Sequence, residues 1–110
     1  MRPVSIGINP TAGVTTNAYT VPTGYYTLLN LLYIHNTGGS TKHITVQWYD
    51  ASAATTIDIL TAVSYSSKSY TQFDNAYIVL EQGDQLRLTP DAASTFAVIA
   101  TVEEIGVNRQ

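Results

Sequence analysis

Apolar and polar residues alternate along most of this chain with a period of two, and turn-forming clusters separate the alternating runs. The alternation is clearest in 44–50 and 95–105, and no long window repeats apolar residues at the i, i+3, i+4 spacing of an amphipathic helix. Runs rich in Val, Ile, Leu, Thr and Tyr, broken by Gly, Pro, Asp or Asn, are typical of an all-β sandwich or barrel. The pattern therefore predicts an all-β fold with no helix longer than about two turns.

We expect a single antiparallel β-sandwich of about seven or eight strands, of jelly-roll or immunoglobulin-like type. The strands are predicted, in chain order, at 14–21, 25–36, 42–50, 55–65, 70–73, 77–81, 85–89 and 95–105. Residues 1–13 contain two prolines and are predicted to form an extended N-terminal arm. The sandwich domain then spans 14–105, and 106–110 form a C-terminal tail.

A β-hairpin is predicted around the two glycines of Thr37–Ser40, because strands at 25–36 and 42–50 flank this short turn. Pairing His35 with His43 across the turn sorts the side chains of both strands onto two faces. The first face, predicted to fill the core, carries Leu28, Asn30, Leu32, Ile34, Ile44, Val46 and Trp48. The second face carries Leu29, Leu31, Tyr33, His35, Thr45, Gln47 and Tyr49.

The second face is too apolar for a sheet that faces water, where polar side chains normally alternate with buried ones. A contiguous apolar patch of about a few hundred Å² usually marks an interaction site, so we predict a contact surface for another protein chain. It is formed by Leu29, Leu31, Tyr33 and Tyr49, with Arg2, Pro3, Val4 and Ile6 of the arm as a second contact. In the alternative interpretation, the arm itself or the segment 66–73 covers this face.

Composition and charge exclude several classes of protein. Hydrophobic residues make up 45% of the 110 residues and charged residues 12%, which excludes a disordered, charge-driven chain. The net charge is −3, and the five Lys and Arg residues are scattered, so neither a nucleic-acid surface nor a basic membrane-binding face is predicted. No apolar run is long enough for a membrane span, and the start of the chain lacks the apolar segment of a signal peptide. The absence of cysteine excludes disulfides, thiol catalysis and cysteine-ligated zinc.

The residues that could carry chemistry do not form a recognisable site. His35, His43 and Asp50 could meet at one end of the predicted hairpin, but a metal needs three or four ligands in fixed geometry, and exposed polar residues explain the pair equally well. Carboxylates at predicted turns leave a calcium site open as a minor alternative, formed by Asp74, Asp84 or Asp91. There is no Gly-x-Ser-x-Gly motif and no phosphate-binding glycine pattern. We therefore predict a protein that is not an enzyme, with no catalytic residues, no cofactor, no metal and no small-molecule substrate.

The eight tyrosines leave a carbohydrate-binding sandwich open as an alternative function, since aromatic rings can stack on sugars. In that case Trp48 is expected to be exposed, whereas the hairpin register places it in the core. Tyrosine is equally favoured at protein contacts, because it combines an apolar ring with a polar tip.

The order of several motifs carries a family resemblance. The motifs are Tyr19–Gly24 with its Val-Pro-Thr-Gly turn, His35–Ser40 at the end of an apolar strand, Ile44–Asp50, Ile78–Leu88 with its Gly-Asp turn, and Phe96–Ile105 ending in Glu-Ile. In this order they resemble small structural proteins of tailed bacteriophages, and the resemblance covers roughly residues 19–105.

The resemblance implies a non-enzymatic virion component, which we expect to be a capsid decoration (cement) protein on the outer surface of the major capsid shell. Its expected partners are the phage major capsid protein or another virion structural protein, together with further copies of itself in a homo-oligomer. It would assemble in the host cytoplasm and reside on the capsid exterior. A neck, collar or tail accessory subunit is the alternative within the same class.

Overall fold

The computed structural model describes residues 2–107, apart from the side chains of 75–77, and this part of the chain forms eight β-strands and no helix. The strands are β1 (Arg2–Ile8), β2 (Thr16–Thr20), β3 (Tyr25–Asn36), β4 (Lys42–Asp50), β5 (Thr55–Tyr65), β6 (Tyr70–Leu80), β7 (Gln85–Pro90) and β8 (Phe96–Gly106). The all-β prediction is confirmed, but the two short strands expected on either side of residue 75 are one strand, β6. Residues 108–110 of the predicted tail lie outside the described residues.

The strands form two four-stranded antiparallel sheets that pack face to face. Sheet I has the strand order β1-β8-β3-β6, and sheet II has the order β2-β7-β4-β5. In this order the chain moves from one sheet to the other at most connections, as in two Greek keys wound into a sandwich. Of the two predicted types, the strand order is therefore that of a jelly roll. No helix in the described residues could span a membrane.

The predicted hairpin between β3 and β4 is wrong, because β3 lies in sheet I and β4 lies in sheet II. The buried side chain of Asn36 organises the crossing between the sheets. Its Nδ2 donates hydrogen bonds to the carbonyl oxygens of Ser40 and Tyr65, each at 2.9 Å, and its Oδ1 accepts one from the N–H of Gly38 at 3.0 Å. The two glycines thus serve a crossing held by a side-chain amide, and not a tight hairpin turn.

The predicted N-terminal arm is extended, but its first part belongs to the sandwich. Residues 2–8 form β1, which pairs with β8 along its whole length as the edge strand of sheet I. Val4, Ile6 and Ile8 point inward and pack against the core. This segment therefore completes the domain's own sheet and does not extend away from it.

The core lies between the two sheets. Its buried residues are Leu29, Leu32, Ile34, Ile44, Val46, Tyr65, Leu86, Leu88, Phe96, Val98, Ala100 and Val102. Strand β3 contributes to this core on both sides of an irregularity, since its register with β6 and β8 shifts between Leu29 and Leu31. The shift lets Leu29 point inward before it and Leu32 and Ile34 point inward after it. Strict alternation would have placed Leu29 outside.

Candidate functional site: the outer face of sheet I

The outer face of sheet I is the surface that points away from the core, and strand register arranges its side chains in rows across the sheet. The rows are Ala97–His35–Tyr70, Gly7–Ile99–Tyr33–Gln72, Ser5–Thr101–Leu31–Asp74 and Pro3–Glu103–Leu28–Val79. Apolar or aromatic side chains from β8, β3 and β6 are therefore neighbours on one surface. Opposed side chains within such a row lie close enough to contact one another.

Several large apolar side chains on this face are accessible to solvent. Tyr70 is 62% exposed, Val79 48% and Ile99 40%. The ring of Tyr33 lies between two other rings, with its centroid 5.5 Å from that of Tyr70 and 6.4 Å from that of His35, both tilted by 44°. Neither β1 nor the segment 66–73 covers the face, because β1 and β6 lie in the plane of the sheet. The alternative in which the arm or the segment 66–73 covers this face is therefore wrong.

Charged side chains occupy one end of this face. On the described outward positions of sheet I the carboxylates are Asp74, which accepts a hydrogen bond from Gln72 Nε2 at 2.9 Å, and Glu103, which accepts one from Asn30 Nδ2 at 3.4 Å. The rows that contain Tyr33 and His35 carry no carboxylate, lysine or arginine. The aromatic end of the face is thus free of formal charge while His35 is neutral.

The outer face of sheet II is polar, and its side chains bind one another. Gln47 Nε2 donates to Asp58 Oδ1 at 2.9 Å, and the guanidinium of Arg87 lies 4.1 Å above the ring centroid of Tyr49. Arg87 Nε also donates to Gln85 Oε1 at 2.8 Å. These side chains satisfy their polar groups and bury part of their apolar surface within the domain, as a water-facing sheet normally does.

The structure places the predicted contact residues in four different surroundings. Leu29 is fully buried in the core and cannot form part of a contact surface, while Leu31 and Tyr33 do lie on the outer face of sheet I. Tyr49 lies on the opposite side of the molecule, under Arg87 on the outer face of sheet II. The four arm residues belong to β1, where Val4 and Ile6 face the core and Arg2 and Pro3 are exposed. The single surface predicted from the hairpin therefore does not exist.

Arg2 anchors the start of β1 through a buried polar cluster. Its Nε donates to Oε1 of Glu104 at 2.6 Å, and Glu104 is 4% exposed. The hydroxyl of Tyr19, on β2 of the other sheet, donates to Oε2 of Glu104 at 2.6 Å and lies 2.9 Å from the hydroxyl of Thr27. Burial and the bond to Glu104 raise the pKa of Tyr19 to about 12, and the bonds from Tyr19 and Arg2 lower the pKa of Glu104. The cluster ties the two sheets together, because Arg2 and Glu104 belong to sheet I and Tyr19 belongs to sheet II.

Trp48 does not form an exposed stacking platform. Its ring is half-buried, and its Nε1 donates to the carboxylate of Asp84 at 3.0 Å. Asp84 is 1% exposed and also accepts hydrogen bonds from the backbone N–H groups of Ala51 and Glu81, each at 2.9 Å. Gly83, at φ 87°, makes the predicted turn between β6 and β7 possible. Asp84 is thus a structural acceptor that joins two turns.

The candidate metal ligands are separated. His35 lies on sheet I and His43 on sheet II, where the backbone N–H and Nδ1 of His43 lie 2.7 and 3.0 Å from Oδ2 of Asp91. The bond from the His43 backbone is the main reason that the pKa of Asp91 is lowered. Asp50, Asp74 and Asp84 lie on different elements. No group of three or more His, Cys, Asp or Glu residues that could hold a metal occurs within the described part of the chain.

A cavity of about 420 Å³ opens where the two sheets part between β5 and β6. Its walls are mostly aliphatic, and its lining consists of Leu29, Leu32, Ile59, Leu60, Gln72, Phe73, Asp74 and Ile78. The polar groups at this cavity, Gln72 and Asp74, are bonded to each other. The described lining therefore offers apolar volume but no set of converging catalytic groups.

Sequence reasoning missed Ile99, Tyr70 and Val79, which are the most exposed apolar side chains among the described residues of the candidate face. Ile99 could have been found, because β8 alternates Phe96, Val98, Ala100 and Val102 toward the core, and an outward Ile breaks that pattern. Tyr70 and Val79 required the knowledge that β6 lies beside β3, which no local pattern supplies.

Known proteins share the fold of this chain and not its sequence. No family model matches it, and no curated protein is similar enough to be a relative. A protein of Bacillus endospore appendages, described as a family of disulfide-linked pili, superposes with a TM-score of 0.60 at 14% identity, covering 97% of this chain and 87% of that one. A protein of the T13 particle of infectious bursal disease virus superposes with a TM-score of 0.58 at 10% identity.

The viral match covers 96% of this chain but 31% of the viral one, so the present chain corresponds to less than a third of that protein. A structure of the Gx strain of the same virus gives a TM-score of 0.53 at 12% identity and covers 34% of the viral chain. At these identities the similarity establishes the jelly-roll fold. That fold serves virus-particle and pilus proteins as well as unrelated functions.

Proposed function

We propose that this chain is a non-enzymatic structural subunit of a viral particle, and that it acts as a decoration protein docked on the outer surface of a capsid shell. The observation that carries the proposal is the uncovered outer face of sheet I. A small jelly roll that leaves Tyr70, Ile99 and Val79 in solvent on one face is suited to binding another protein there.

The energetics favour this use of the face. Burying about 300 Å² of apolar surface at about 25 cal/mol per Å² contributes about 7 kcal/mol before the costs of association are subtracted. The aromatic rings of Tyr33 and Tyr70 are already packed against each other, so little side-chain entropy is lost when a partner covers them.

The rest of the surface is compatible with an outward position on a particle. The polar outer face of sheet II would remain in water, and the net charge of −3 keeps the exposed part soluble. The bacteriophage assignment comes from the resemblance of motifs in the sequence. The similarity to the protein of infectious bursal disease virus supports a particle protein through the shared fold alone.

Purified particles test the proposal directly. Particles from cells that express the chain are separated on a density gradient, and the chain and the shell protein are quantified by mass spectrometry in each fraction. We expect the chain to co-sediment with the shell in a fixed ratio and to leave a jelly-roll density on the outside of the shell in an electron-microscopy map. A chain found at the top of the gradient, or a density confined to the neck or tail, would contradict the decoration role.

A filament subunit is the second candidate function, because the superposition on the endospore-appendage protein covers most of both chains. The disulfide links of that family have no counterpart here, since the 110 residues contain no cysteine. Filaments formed by the purified chain in negative-stain micrographs would favour this candidate. A purified chain that forms no filaments would favour the first.

A further inference from the structure

The two lateral edges of the sandwich differ. At the edge formed by β1 and β2, Arg2 and Tyr19 both bind Glu104 and hold the sheets together. At the opposite edge, formed by β5 and β6, the sheets part at the cavity of about 420 Å³. Ile59 of sheet II and Phe73 of sheet I line this cavity and are only half-buried. Apolar surface from both sheets is therefore accessible at this edge.

Register irregularities in both edge strands lie beside the cavity. Between its partners of Leu31 and Leu29, β6 has three residues where β3 has only Asn30. On β5 the pairing with β4 shifts on both sides of Leu60, and Ala62 adopts a left-handed φ of 45°. Extra residues bend an edge strand from its regular path, and both bulges and strained backbone are frequent beside functional sites. The sheets thus part where both edge strands are irregular.

The walls of the cavity are apolar, and its opening is polar and acidic. Gln72 and Asp74 are the polar lining residues, and both are exposed. Asp74 Oδ1 accepts the hydrogen bond from Gln72, which leaves Oδ2 available among the described residues. Strands β5 and β6 together contain two aspartates, Asp58 and Asp74, and no lysine or arginine. The opening therefore favours a cationic group and disfavours a carboxylate.

The size of the cavity limits the ligand. A water molecule takes up about 30 Å³ of liquid and a methylene group is of similar size, so a cavity of 420 Å³ holds about ten to twelve methylene groups. Its inner wall runs along β3 from Leu32 to Leu29, which is about 10 Å at the standard rise of a strand. This elongated shape suits a linear chain. Pockets of this volume with apolar walls and few polar groups are typical of small-molecule sites.

We propose that the cavity between β5 and β6 binds a linear aliphatic amine of about ten carbons. The chain lies between the two sheets against Ile59 and Phe73, and the ammonium group lies at the opening beside Asp74. This inference goes beyond the proposed function and does not depend on it. A ligand between the sheets leaves Tyr70 and Ile99, on the outer face of sheet I, uncovered.

A series of alkyl amines tests the proposal by isothermal titration calorimetry at pH 7, where a primary amine is charged. From hexylamine to decylamine, each added methylene group should tighten binding about fourfold, because each is transferred from water into the cavity. Decan-1-ol should bind up to about fivefold more weakly than decylamine, and decanoate more weakly still. Asp74→Asn should remove the preference for the amine over the alcohol. An affinity independent of chain length, or decanoate binding as tightly as decylamine, would overturn the proposal.

A matched pair of tryptophan substitutions on β5 tests the location. Ile59→Trp fills the cavity and should weaken decylamine binding about tenfold or more. Ile57→Trp places the same ring two residues away, at a position that is 45% exposed and outside the cavity lining, and should leave binding unchanged. Circular dichroism shows whether both variants are folded. Equal effects of the two substitutions would contradict the assignment of the cavity.

Methyl NMR of the wild-type chain gives the location without any substitution. Decylamine should shift the methyl signals of Ile59, Leu60 and Ile78, which line the cavity, and leave those of Leu86 and Leu88 on β7 in place. Shifts confined to residues outside the lining, or no saturable shift with decylamine, would overturn the proposal.

Discussion

The two outer faces of this sandwich are built from the same kind of alternating strand and differ in how their side chains are satisfied. On sheet II, Gln47, Tyr49 and Arg87 bind neighbours on the same face. On sheet I, Tyr70 and Ile99 project into solvent. The comparison shows that overall composition does not identify a candidate contact surface. What identifies it is an outward row whose apolar area no side chain of the same domain covers.

The difference between the two faces arises from which side chains lie next to each other on adjacent strands. A tyrosine next to an arginine, as at Tyr49 and Arg87, keeps its ring partly covered and its surroundings polar. A tyrosine next to another tyrosine and a histidine, as at Tyr33, produces an apolar cluster. Similar residues thus give a polar face on one sheet and an exposed apolar face on the other.

The largest effect is expected inside sheet I, where two neighbouring leucines on β3 have opposite roles. Leu29→Ala removes a fully buried side chain and should lower the free energy of unfolding by about 3 kcal/mol, whereas Leu31→Ala, on the outer face, should cost less than about 1 kcal/mol. Urea unfolding of both variants measures the difference. Equal losses would show that the bulge between them does not exist in solution.

The placement of β3 in sheet I and β4 in sheet II depends on Asn36, whose side chain forms hydrogen bonds at the connection between these strands. Asn36→Ala leaves the carbonyl oxygens of Ser40 and Tyr65 without its amide donor and should destabilise the fold by about 2 kcal/mol. Thermal unfolding measures this loss. Thr37→Ala removes a hydroxyl in an exposed part of the same connection and serves as the control. A loss no larger than that of the control would contradict the role of Asn36.

The two sheets are also joined by Tyr19, and this joint is expected to weaken at high pH. The pKa of Tyr19 is about 12 in the folded chain and about 10 when the chain is unfolded, so its contribution is present below pH 10 and is lost as the pH rises toward 12. Because Tyr19 is only partly buried, we expect the loss to be about 1 kcal/mol. Tyr19→Phe should lose less stability than the wild type between pH 10 and 12 in denaturant titrations. Parallel losses would mean that Tyr19 ionises normally.

The smallest effect is expected on the polar face. Arg87→Ala removes the guanidinium above Tyr49 and should cost about 0.5–1 kcal/mol of stability without changing co-sedimentation of the chain with particles. Thermal unfolding and sedimentation of this variant give both values. A change in association would show that sheet II also contacts a partner, which would weaken the contrast between the faces.

The fold class could be predicted from the sequence because period-two alternation and turn residues are local signals, and the bounds of β3, β4 and β5 followed from them. The pairing of the strands could not. The Gly-Gly turn after β3 suggests a hairpin, but Asn36 directs the chain into the other sheet by bonds to Tyr65, which is far away in the sequence. A register shift then reversed the orientation of Leu29. Of the four sheet residues predicted to share one surface, Leu31 and Tyr33 therefore lie on the outer face of sheet I, while Leu29 and Tyr49 lie elsewhere.

The central claim, that a partner protein covers the outer face of sheet I and not that of sheet II, is tested most directly by hydroxyl-radical footprinting of the free and the particle-bound chain. Tyrosines on both faces report in the same experiment, Tyr33 and Tyr70 for sheet I and Tyr49 for sheet II. We expect oxidation of Tyr70 and Tyr33 to fall when the chain binds the particle, while oxidation of Tyr49 stays constant. Unchanged oxidation of Tyr70 on binding, or protection of Tyr49 in its place, would contradict the claim.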